Sequence, residues 1–228
     1  MVSAGWTLAL DAAASTGTIA VLRDGDVVAA RTVEMRSRDE ERYFPAVLET
    51  LREAGASVAA LDRVVCGAGP GSFTALRVTG AVAKGLCEGR GIPLFGVPSL
   101  ALIVAAADAT RAPGRWLATL DALRGERYAA VVTVAPGGAV ASLESHGLVP
   151  IAEVAVRAAA LGATPIGPDE AQAALPHARG VARCWGLIEA AGAADLAGWE
   201  PVYGRLAEAQ VKWEAAHGRP LVAGRIEA

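Results

Sequence analysis

The sequence predicts an α/β fold built from two related halves. Short apolar runs rich in β-branched residues alternate with helical patterns, and turn residues separate them. The first half reads as strand, strand, strand, helix, strand and helix, over residues 6–10, 18–22, 27–33, 39–54, 63–66 and 73–88. With 53% apolar and 20% charged residues among 228, the chain has the composition of a well-packed globular protein.

The opening of this βββαβα pattern is repeated later in the chain. Leu8-Ala-Leu-Asp11-Ala has a counterpart in Leu117-Ala-Thr-Leu-Asp121-Ala, and an Ala-Val pair comes after each aspartate at the same distance. Each aspartate therefore ends an apolar strand and precedes a hairpin. A pattern repeated in this way indicates that the two halves share one topology.

The boundary between the halves is predicted at residues 110–115, where proline and glycine interrupt the pattern. We expect an N-terminal half over residues 1–109 and a smaller, more divergent C-terminal half over residues 110–228. The later elements of the second half are predicted as helices over 151–161, 184–191 and 205–216 and a short strand over 164–167.

A glycine-rich loop, GAGPGS, leads into the helix predicted at 73–88. Three glycines and a proline force a sharp turn, and Ser72 or Thr74 is expected to cap the helix. Backbone N–H groups at such a turn bind anions well, so Gly69, Gly71 and Ser72 are candidate phosphate- or nucleotide-binding residues. A purely structural turn is the alternative, because neither the P-loop lysine nor the third glycine of a dinucleotide fingerprint is present.

The helix at 73–88 is apolar nearly all round. Arg77 and Lys84 lie on a narrow polar stripe, and Gly80 and Gly85 allow another backbone to come close. A helix of this kind is usually buried on both sides. It is covered either by a second layer of its own domain or by a partner subunit, and the sequence leaves both possibilities open.

Charge and cysteine content exclude several classes of protein. The chain has 21 basic and 24 acidic residues, a net charge of −3, and so lacks the basic excess of a protein that grips nucleic acid by itself. Its three cysteines are far apart and form no CxxC pair, which argues against a disulfide framework or a zinc knuckle. No signal peptide or membrane span is expected, so we predict a cytoplasmic protein.

Metal-binding and nucleophile motifs are missing from the sequence. His146, His177 and His217 are widely separated, and no serine lies in a GxSxG elbow. We therefore expect no metal site and no catalytic residue. Asp11 and Asp121 remain as two carboxylates at the ends of matched strands, and carboxylates can orient Mg²⁺ and water. The favoured alternative is that both aspartates cap turns, because alanines come after Asp11 where a phosphate would need access to the backbone.

Several motifs together resemble the TsaB (YeaZ) family. Gly69-Pro-Gly-Ser-Phe-Thr74 is similar to the family's GPGSFTGxR signature, Asp121–Tyr128 to its DAR-x-x-EVY stretch, and Pro201–Arg205 to its PxYxR motif. Ala75 stands where the signature has glycine, and Asp39 where the family often has a histidine. The resemblance implies a duplicated actin-like ATPase fold of the sugar kinase, Hsp70, actin and ribonuclease H-like kind, in a family grouped with M22 glycoprotease-like proteins.

The resemblance also implies an accessory role. Family members lack a metal site and act as scaffold for the metal-bearing paralogue TsaD, with the ATPase TsaE, in threonylcarbamoyl transfer to adenosine 37 of tRNA. It implies a homodimer when the chain is alone, contact with tRNA only through the complex, and no tightly bound cofactor, with ATP or ADP at most at a cleft of the complex. We expect partner contacts on the helices at 39–54 and 73–88, at Tyr43, Val47, Phe73, Arg77, Gly80, Ala81, Lys84 and Gly85.

Two other classes of function stay open. One is an active ATPase or small-molecule kinase that uses Asp11 and Asp121, which Mg-ATP turnover by the isolated protein would reveal. The other is an M22-type glycoprotease-like peptidase. The missing histidine pair and nucleophile motif argue against the peptidase.

Overall fold

The computed structural model describes residues 4–35, 42–204 and 217, and these form two five-stranded mixed sheets with helices. The first sheet contains β1 (Trp6–Asp11), β2 (Thr16–Arg23), β3 (Asp26–Glu34), β4 (Leu61–Gly67) and β5 (Leu94–Val97). The second contains β6 (Gly114–Asp121), β7 (Glu126–Val134), β8 (Val140–Pro150), β9 (Thr164–Gly167) and β10 (Gln172–Ala173). The α-helices of the described part are α1 (Tyr43–Glu53), α2 (Phe73–Arg90), α3 (Ser99–Ala106), α4 (Val154–Ala160) and α5 (Trp185–Ala191).

The two sheets have the same strand order and the same strand directions. The first runs β3-β2-β1-β4-β5 and the second β8-β7-β6-β9-β10. In each, the first three strands form an antiparallel meander, the fourth pairs in parallel with the first, and the fifth pairs in parallel with the fourth. The duplication predicted from the repeated opening is therefore confirmed.

The halves differ after the fourth strand. β4 leads through the glycine loop into α2, a helix of 18 residues. β9 is joined to β10 by residues 168–171 alone, and β10 has only two residues. The second half thus has the βββαβ part of the pattern without the helix that comes after β4 in the first half.

Helices and sheets alternate in five layers. α1 and α2 cover the outer face of the first sheet, where Ile19 packs in one cluster with Tyr43 and Leu86. α3 and α5 lie between the two sheets, and every residue of α3 is buried. α4 covers the outer face of the second sheet. The central strands β1, β2, β4 and β7 are therefore buried on both faces over most of their length, which explains why they read as nearly continuous apolar runs.

The predicted elements of the first half are present in the structure. The helix predicted at 39–54 is described from Tyr43, and Asp39 lies outside the described residues, as does the helix predicted at 205–216. In the second half, a short 3₁₀ turn over Ile151–Glu153 precedes α4. Within the described residues, every helix is too short or too polar to cross a membrane.

Residues 194–204, here named the strap, return from the second half to the first. The backbone N–H of Ala194 donates to the carbonyl of Leu94 at 2.8 Å, and that of Val202 donates to Ala68 at 2.7 Å. Between these two points Trp199 lies against α2 and β5. The strap therefore covers one side of α2 with the chain's own residues.

Candidate functional site

Asp11 ends β1 at the edge where the parallel strands of the first sheet finish, which is where α/β folds bind ligands. Its side chain is fully buried. One oxygen, Oδ2, accepts a hydrogen bond from Ser99 Oγ at 2.5 Å, and Oδ1 accepts one from the N–H of Ala13 at 3.1 Å. Burial raises the pKa of Asp11 to about 6, although both hydrogen bonds act in the opposite direction. At neutral pH the carboxylate is ionised, and both its oxygens accept hydrogen bonds from its own chain.

The glycine loop, residues 67–72, packs directly on the turn after Asp11. Gly69 has a φ of +81°, which favours glycine, and its peptide bond to Pro70 is cis. A Cβ atom on Gly69 would overlap the carbonyl of Val202, and one on Gly71 would overlap the carbonyl of Ala13. Close contact with the chain's own backbone therefore accounts for both glycines.

The candidate anion-binding residues use part of their hydrogen-bonding capacity within the chain. The N–H of Gly69 donates to Ser99 Oγ at 3.1 Å, and the N–H of Ser72 donates to Ala13 at 2.8 Å. Ser72 is the N-cap residue of α2, as predicted, although its side chain forms no capping hydrogen bond. The structural alternative explains this loop, and nucleotide binding at it stays a prediction.

Asp121, the counterpart of Asp11, lies in a different environment. Its side chain is 54% exposed, and its Oδ1 forms an ion pair with Arg127 at 2.8 Å. Arg127 also pairs with Asp169 at 2.9 Å. Both aspartates accept a hydrogen bond from the N–H two residues further on, in Asp121 from Leu123, so each caps the turn next to it. Within the described residues, no three His, Cys, Asp or Glu side chains lie close enough to share a metal ion.

A cleft of about 430 Å³ opens between the two halves. Its walls include Thr16, Thr18 and Thr32 from the first sheet and His177 and Arg179 from the second half. His177 Nδ1 accepts a hydrogen bond from the N–H of Arg179, and burial lowers the pKa of His177 to about 4, so the imidazole is neutral. The volume lies within the range of small-molecule sites, and Asp11 is not among the cleft's walls.

Gly80 and Lys84, both predicted at a partner interface, lie against the strap. The ring of Trp199 is 3.4 Å from the position that a Cβ would take at Gly80. Lys84 Nζ donates to the carbonyl of Trp199 at 3.1 Å. The sequence leaves open whether the chain or a partner covers this apolar helix. On the Gly80 side of α2 the chain's own strap covers it.

Phe73 and Arg77 form a cluster with Tyr203 at the end of the strap. The rings of Phe73 and Tyr203 have centroids 4.5 Å apart, and the guanidinium of Arg77 lies 4.2 Å from the centre of the Phe73 ring. Arg77 Nε also donates to the hydroxyl of Tyr203 at 3.4 Å. These contacts join the strap to the first turn of α2.

Another side of α2 is at the surface, on the same face of the first sheet as the exposed side of α1. Ala81 and Gly85 are exposed, and no atom of the described residues lies within 4 Å of a Cβ position at Gly85. On α1, Phe44 is 38% and Leu48 is 43% exposed. These four residues are named the outer face. The large apolar side chains on α1 and the small residues on α2 are positions against which a partner's helices could pack.

Tyr43 and Val47, which the sequence predicts at the partner interface, lie in the interior. They are 2% and 0% exposed, and the hydroxyl of Tyr43 donates to the carbonyl of Thr18 at 3.0 Å. With 3.6 residues per turn, positions 43 and 47 face the sheet and positions 44 and 48 turn outward. The large apolar side chains that α1 exposes are therefore those of Phe44 and Leu48.

Sequence reasoning missed the roles of Ser99 and Trp199. Ser99 is not part of any motif in the sequence analysis, yet its hydroxyl donates a hydrogen bond to Asp11, which is 88 positions away. Trp199 lies in a stretch with no regular periodicity. Neither contact has a local signature, because each depends on how distant segments come together.

These features define the class of the protein as a duplicated actin-like α/β protein in which the first aspartate is buried. Residues 34–149, about half of the chain, match the family model described as TsaD, tRNA N6-adenosine threonylcarbamoyltransferase. Within that wider group, the chain belongs to the TsaB (YeaZ) family.

Curated relatives support this assignment. The tRNA threonylcarbamoyladenosine biosynthesis protein TsaB of Escherichia coli is 35% identical over 122 residues, which are 53% of this chain and 52% of that protein. TsaB of Bacillus subtilis is 32% identical over 121 residues, 53% of this chain and 52% of that protein. An uncharacterized protein of Mycobacterium tuberculosis is 37% identical over 147 residues, 59% of this chain and 69% of that protein. The chain spans about half the length of the TsaB relatives it matches.

Two solved structures share the fold over most of the chain. An uncharacterized protein from Pseudomonas aeruginosa, with similarity to peptidase YeaZ, superposes with a TM-score of 0.71 at 28% identity, covering 88% of this chain and all of that one. YeaZ from Pseudomonas aeruginosa gives a TM-score of 0.66 at 25% identity, covering 87% of this chain and 99% of that one. The fold implied by the sequence motifs is confirmed.

Proposed function

We propose that this chain is a non-catalytic scaffold subunit in tRNA threonylcarbamoyladenosine synthesis. It pairs with a metal-bearing catalytic paralogue of the TsaD type and works with a TsaE-type ATPase in the cytoplasm. In their absence it pairs with itself. It binds no cofactor tightly, any ATP or ADP lies at a cleft of the assembled complex, and tRNA is contacted through the complex.

The outer face is the observation that carries the proposal. Phe44 and Leu48 are large apolar side chains at the surface of α1, and Ala81 and Gly85 leave room on α2. Exposed apolar groups on α1 and small exposed residues on α2 suit close packing of a partner's helices. Since α1 and α2 cover the same face of the first sheet, the partner would meet a surface held in place by the sheet beneath it.

The state of Asp11 supports a scaffold rather than an enzyme. A carboxylate that orients Mg²⁺ or water has to present its oxygens to the ligand. Here both oxygens of Asp11 accept hydrogen bonds from Ser99 and Ala13 in the interior. Asp121 is at the surface and paired with Arg127.

The main alternative is an ATPase or small-molecule kinase that uses Asp11 and Asp121. A cleft of about 430 Å³ lies between the two halves, but neither Asp11 nor Asp121 lines it. For this activity, nucleotide binding would have to move Ser99 away from Asp11.

The experiment is threonylcarbamoyl transfer to tRNA by the organism's TsaD-type and TsaE-type proteins, with this chain present or withheld. The isolated chain is incubated with Mg-ATP in parallel. We expect modification to require this chain, and the isolated chain to hydrolyse no ATP. Modification without it would contradict the scaffold proposal, and ATP hydrolysis by the isolated chain would favour the kinase or ATPase alternative.

The outer face is tested by a matched pair of variants. Leu48→Asp puts a charge on the outer face, and Val156→Asp puts one on an exposed residue of α4 in the other half, where Val156 is 72% exposed. We expect sedimentation velocity to show loss of pairing for Leu48→Asp alone, with both variants folded by circular dichroism. Equal pairing by the two variants would exclude the outer face as the interface.

A further inference from the structure

Ser99 joins two parts of the first half through its side chain and its backbone. Its hydroxyl donates to Asp11 Oδ2 at 2.5 Å and accepts from the N–H of Gly69 at 3.1 Å. Its own N–H donates to the carbonyl of Gly69 at 2.9 Å. The side chain is completely buried at the first residue of α3. The end of β1 and one end of the glycine loop are thereby both fixed to the start of α3.

A second path leads from Asp11 to the other end of the loop. Asp11 Oδ1 accepts from the N–H of Ala13, whose carbonyl accepts from the N–H of Ser72 at 2.8 Å. The carbonyl of Ser72 in turn accepts from the N–H of Leu76, in the first turn of α2, at 2.9 Å. Asp11 therefore holds the loop at Gly69 through Ser99 and at Ser72 through Ala13.

We propose that Ser99 and Asp11 are positioning residues for α2: their hydrogen bonds set the glycine loop and, through it, the first turn of the helix. This inference rests on the proposed function in one respect, since α2 carries part of the outer face. In this role the aspartate at the end of β1 orients the chain's own backbone.

The composition of the loop supports this role. Three of its six residues are glycine, so the loop has few side chains that could fix its conformation by packing. A buried ionised carboxylate is an unfavourable group unless its hydrogen bonds are satisfied, and it then accepts them only along defined directions. An apolar residue in place of Asp11 would fill the space but accept no hydrogen bond from Ala13 or Ser99, and so would not fix their positions. The buried network is therefore suited to selecting one loop conformation.

The strap depends on the same loop. Val202 donates to the carbonyl of Ala68, and the Val202 carbonyl lies against Gly69. Phe73, directly after the loop, contacts Tyr203 of the strap. A shift of the loop would therefore also move the cover on the Gly80 side of α2.

The test compares Ser99→Ala with Thr110→Ala. Both side chains are fully buried, Ser99 at the start of α3 and Thr110 just beyond its end, and the Thr110 hydroxyl donates to the carbonyl of Val104. We expect both variants to lower the midpoint of urea unfolding. Only Ser99→Ala should raise amide hydrogen exchange in residues 69–76 by at least tenfold, and only Ser99→Ala should weaken pairing through the outer face by a similar factor.

Each outcome decides a separate question. Equal exchange in residues 69–76 for the two variants would overturn the positioning role, whatever the pairing result. If the wild-type chain pairs neither with itself nor with the TsaD-type protein, the proposed function fails, while the exchange comparison still decides the positioning role. Should Ser99→Ala not fold, Asp11→Asn carries the same comparison, because it removes the charge that Ser99 and Ala13 donate to.

Discussion

The two halves share one topology, but their matched aspartates have opposite environments. Asp11 is buried and bonded to Ser99 and Ala13, whereas Asp121 is 54% exposed and paired with Arg127. The difference arises from the segment after the fourth strand. In the first half the glycine loop covers the end of β1, and in the second half residues 168–171 run directly to β10. The repeat thus preserves the position of the carboxylate, and the neighbouring loop decides its chemistry.

The largest expected difference between the halves is at their turn glycines. A Cβ at Gly71 would overlap the carbonyl of Ala13, while at Gly125, with φ +78°, no described atom lies within 4 Å. We expect Gly71→Ala to lower the unfolding free energy by about 3 kcal/mol, because backbone must move. We expect Gly125→Ala to lower the unfolding free energy by about 1 kcal/mol, through backbone strain alone. Equal losses in urea unfolding would mean that the glycine loop is no more tightly packed than the second turn.

The next effect concerns α2, the helix that has no counterpart after β9. Gly80→Leu would collide with Trp199 and Pro201 of the strap, and we expect a loss of about 2 kcal/mol in unfolding free energy. The leucine of Gly85→Leu would point into open space, and we expect this variant to raise the unfolding free energy by about 0.5–1 kcal/mol, because glycine is a poor helix former.

The two α2 variants also distinguish the side of α2 that packs on the strap from the side proposed to meet a partner. Gly85→Leu should abolish pairing in sedimentation velocity while the monomer stays folded. A Gly85→Leu variant that pairs like the wild type would remove Gly85 from the outer face. A Gly80→Leu variant as stable as the wild type would mean that the strap does not pack firmly on α2.

Below the losses expected for Gly71→Ala and Gly80→Leu comes the pH dependence of stability. Burial raises the pKa of Asp11 to about 6 from 3.8, so the folded state holds a proton that the unfolded chain releases at lower pH. The contribution of Asp11 to stability is therefore full below pH 3.8 and is lost as pH rises through 6. Between about pH 5 and about pH 7.5, the wild type should lose about 1.4 kcal/mol relative to Asp11→Asn.

Urea unfolding at the two pH values measures this difference. Asp121→Asn serves as the control from the second half, because Asp121 is 54% exposed and Arg127 keeps its ion pair with Asp169. An identical pH dependence for wild type and Asp11→Asn would show that Asp11 has water access that its burial does not suggest.

Much of the fold was predictable from the sequence, because strands, helices and turns are encoded in patterns of neighbouring residues. Short apolar runs bounded by turn residues located the strands of the first half, and the helical pattern located α2. The repeated Leu-Ala…Asp pattern indicated the duplication. The site was predicted less well. Gly69, Gly71 and Ser72 do form the turn into α2, but Tyr43 and Val47 face the core, one helical step from the exposed Phe44 and Leu48. A difference of one position decides which residue faces solvent and which faces the core.

The sequence by itself determined the succession of strands and helices in the first half, the glycine loop and the family, because these are encoded in short-range patterns and motifs. Only the tertiary structure decided that Asp11 is buried against Ser99 and that the strap covers the Gly80 side of α2. Both contacts join residues that are 88 or more positions apart, and the second joins a regular helix to an irregular segment. Such contacts depend on how the layers close around the first sheet, and no local pattern of residues encodes that closure.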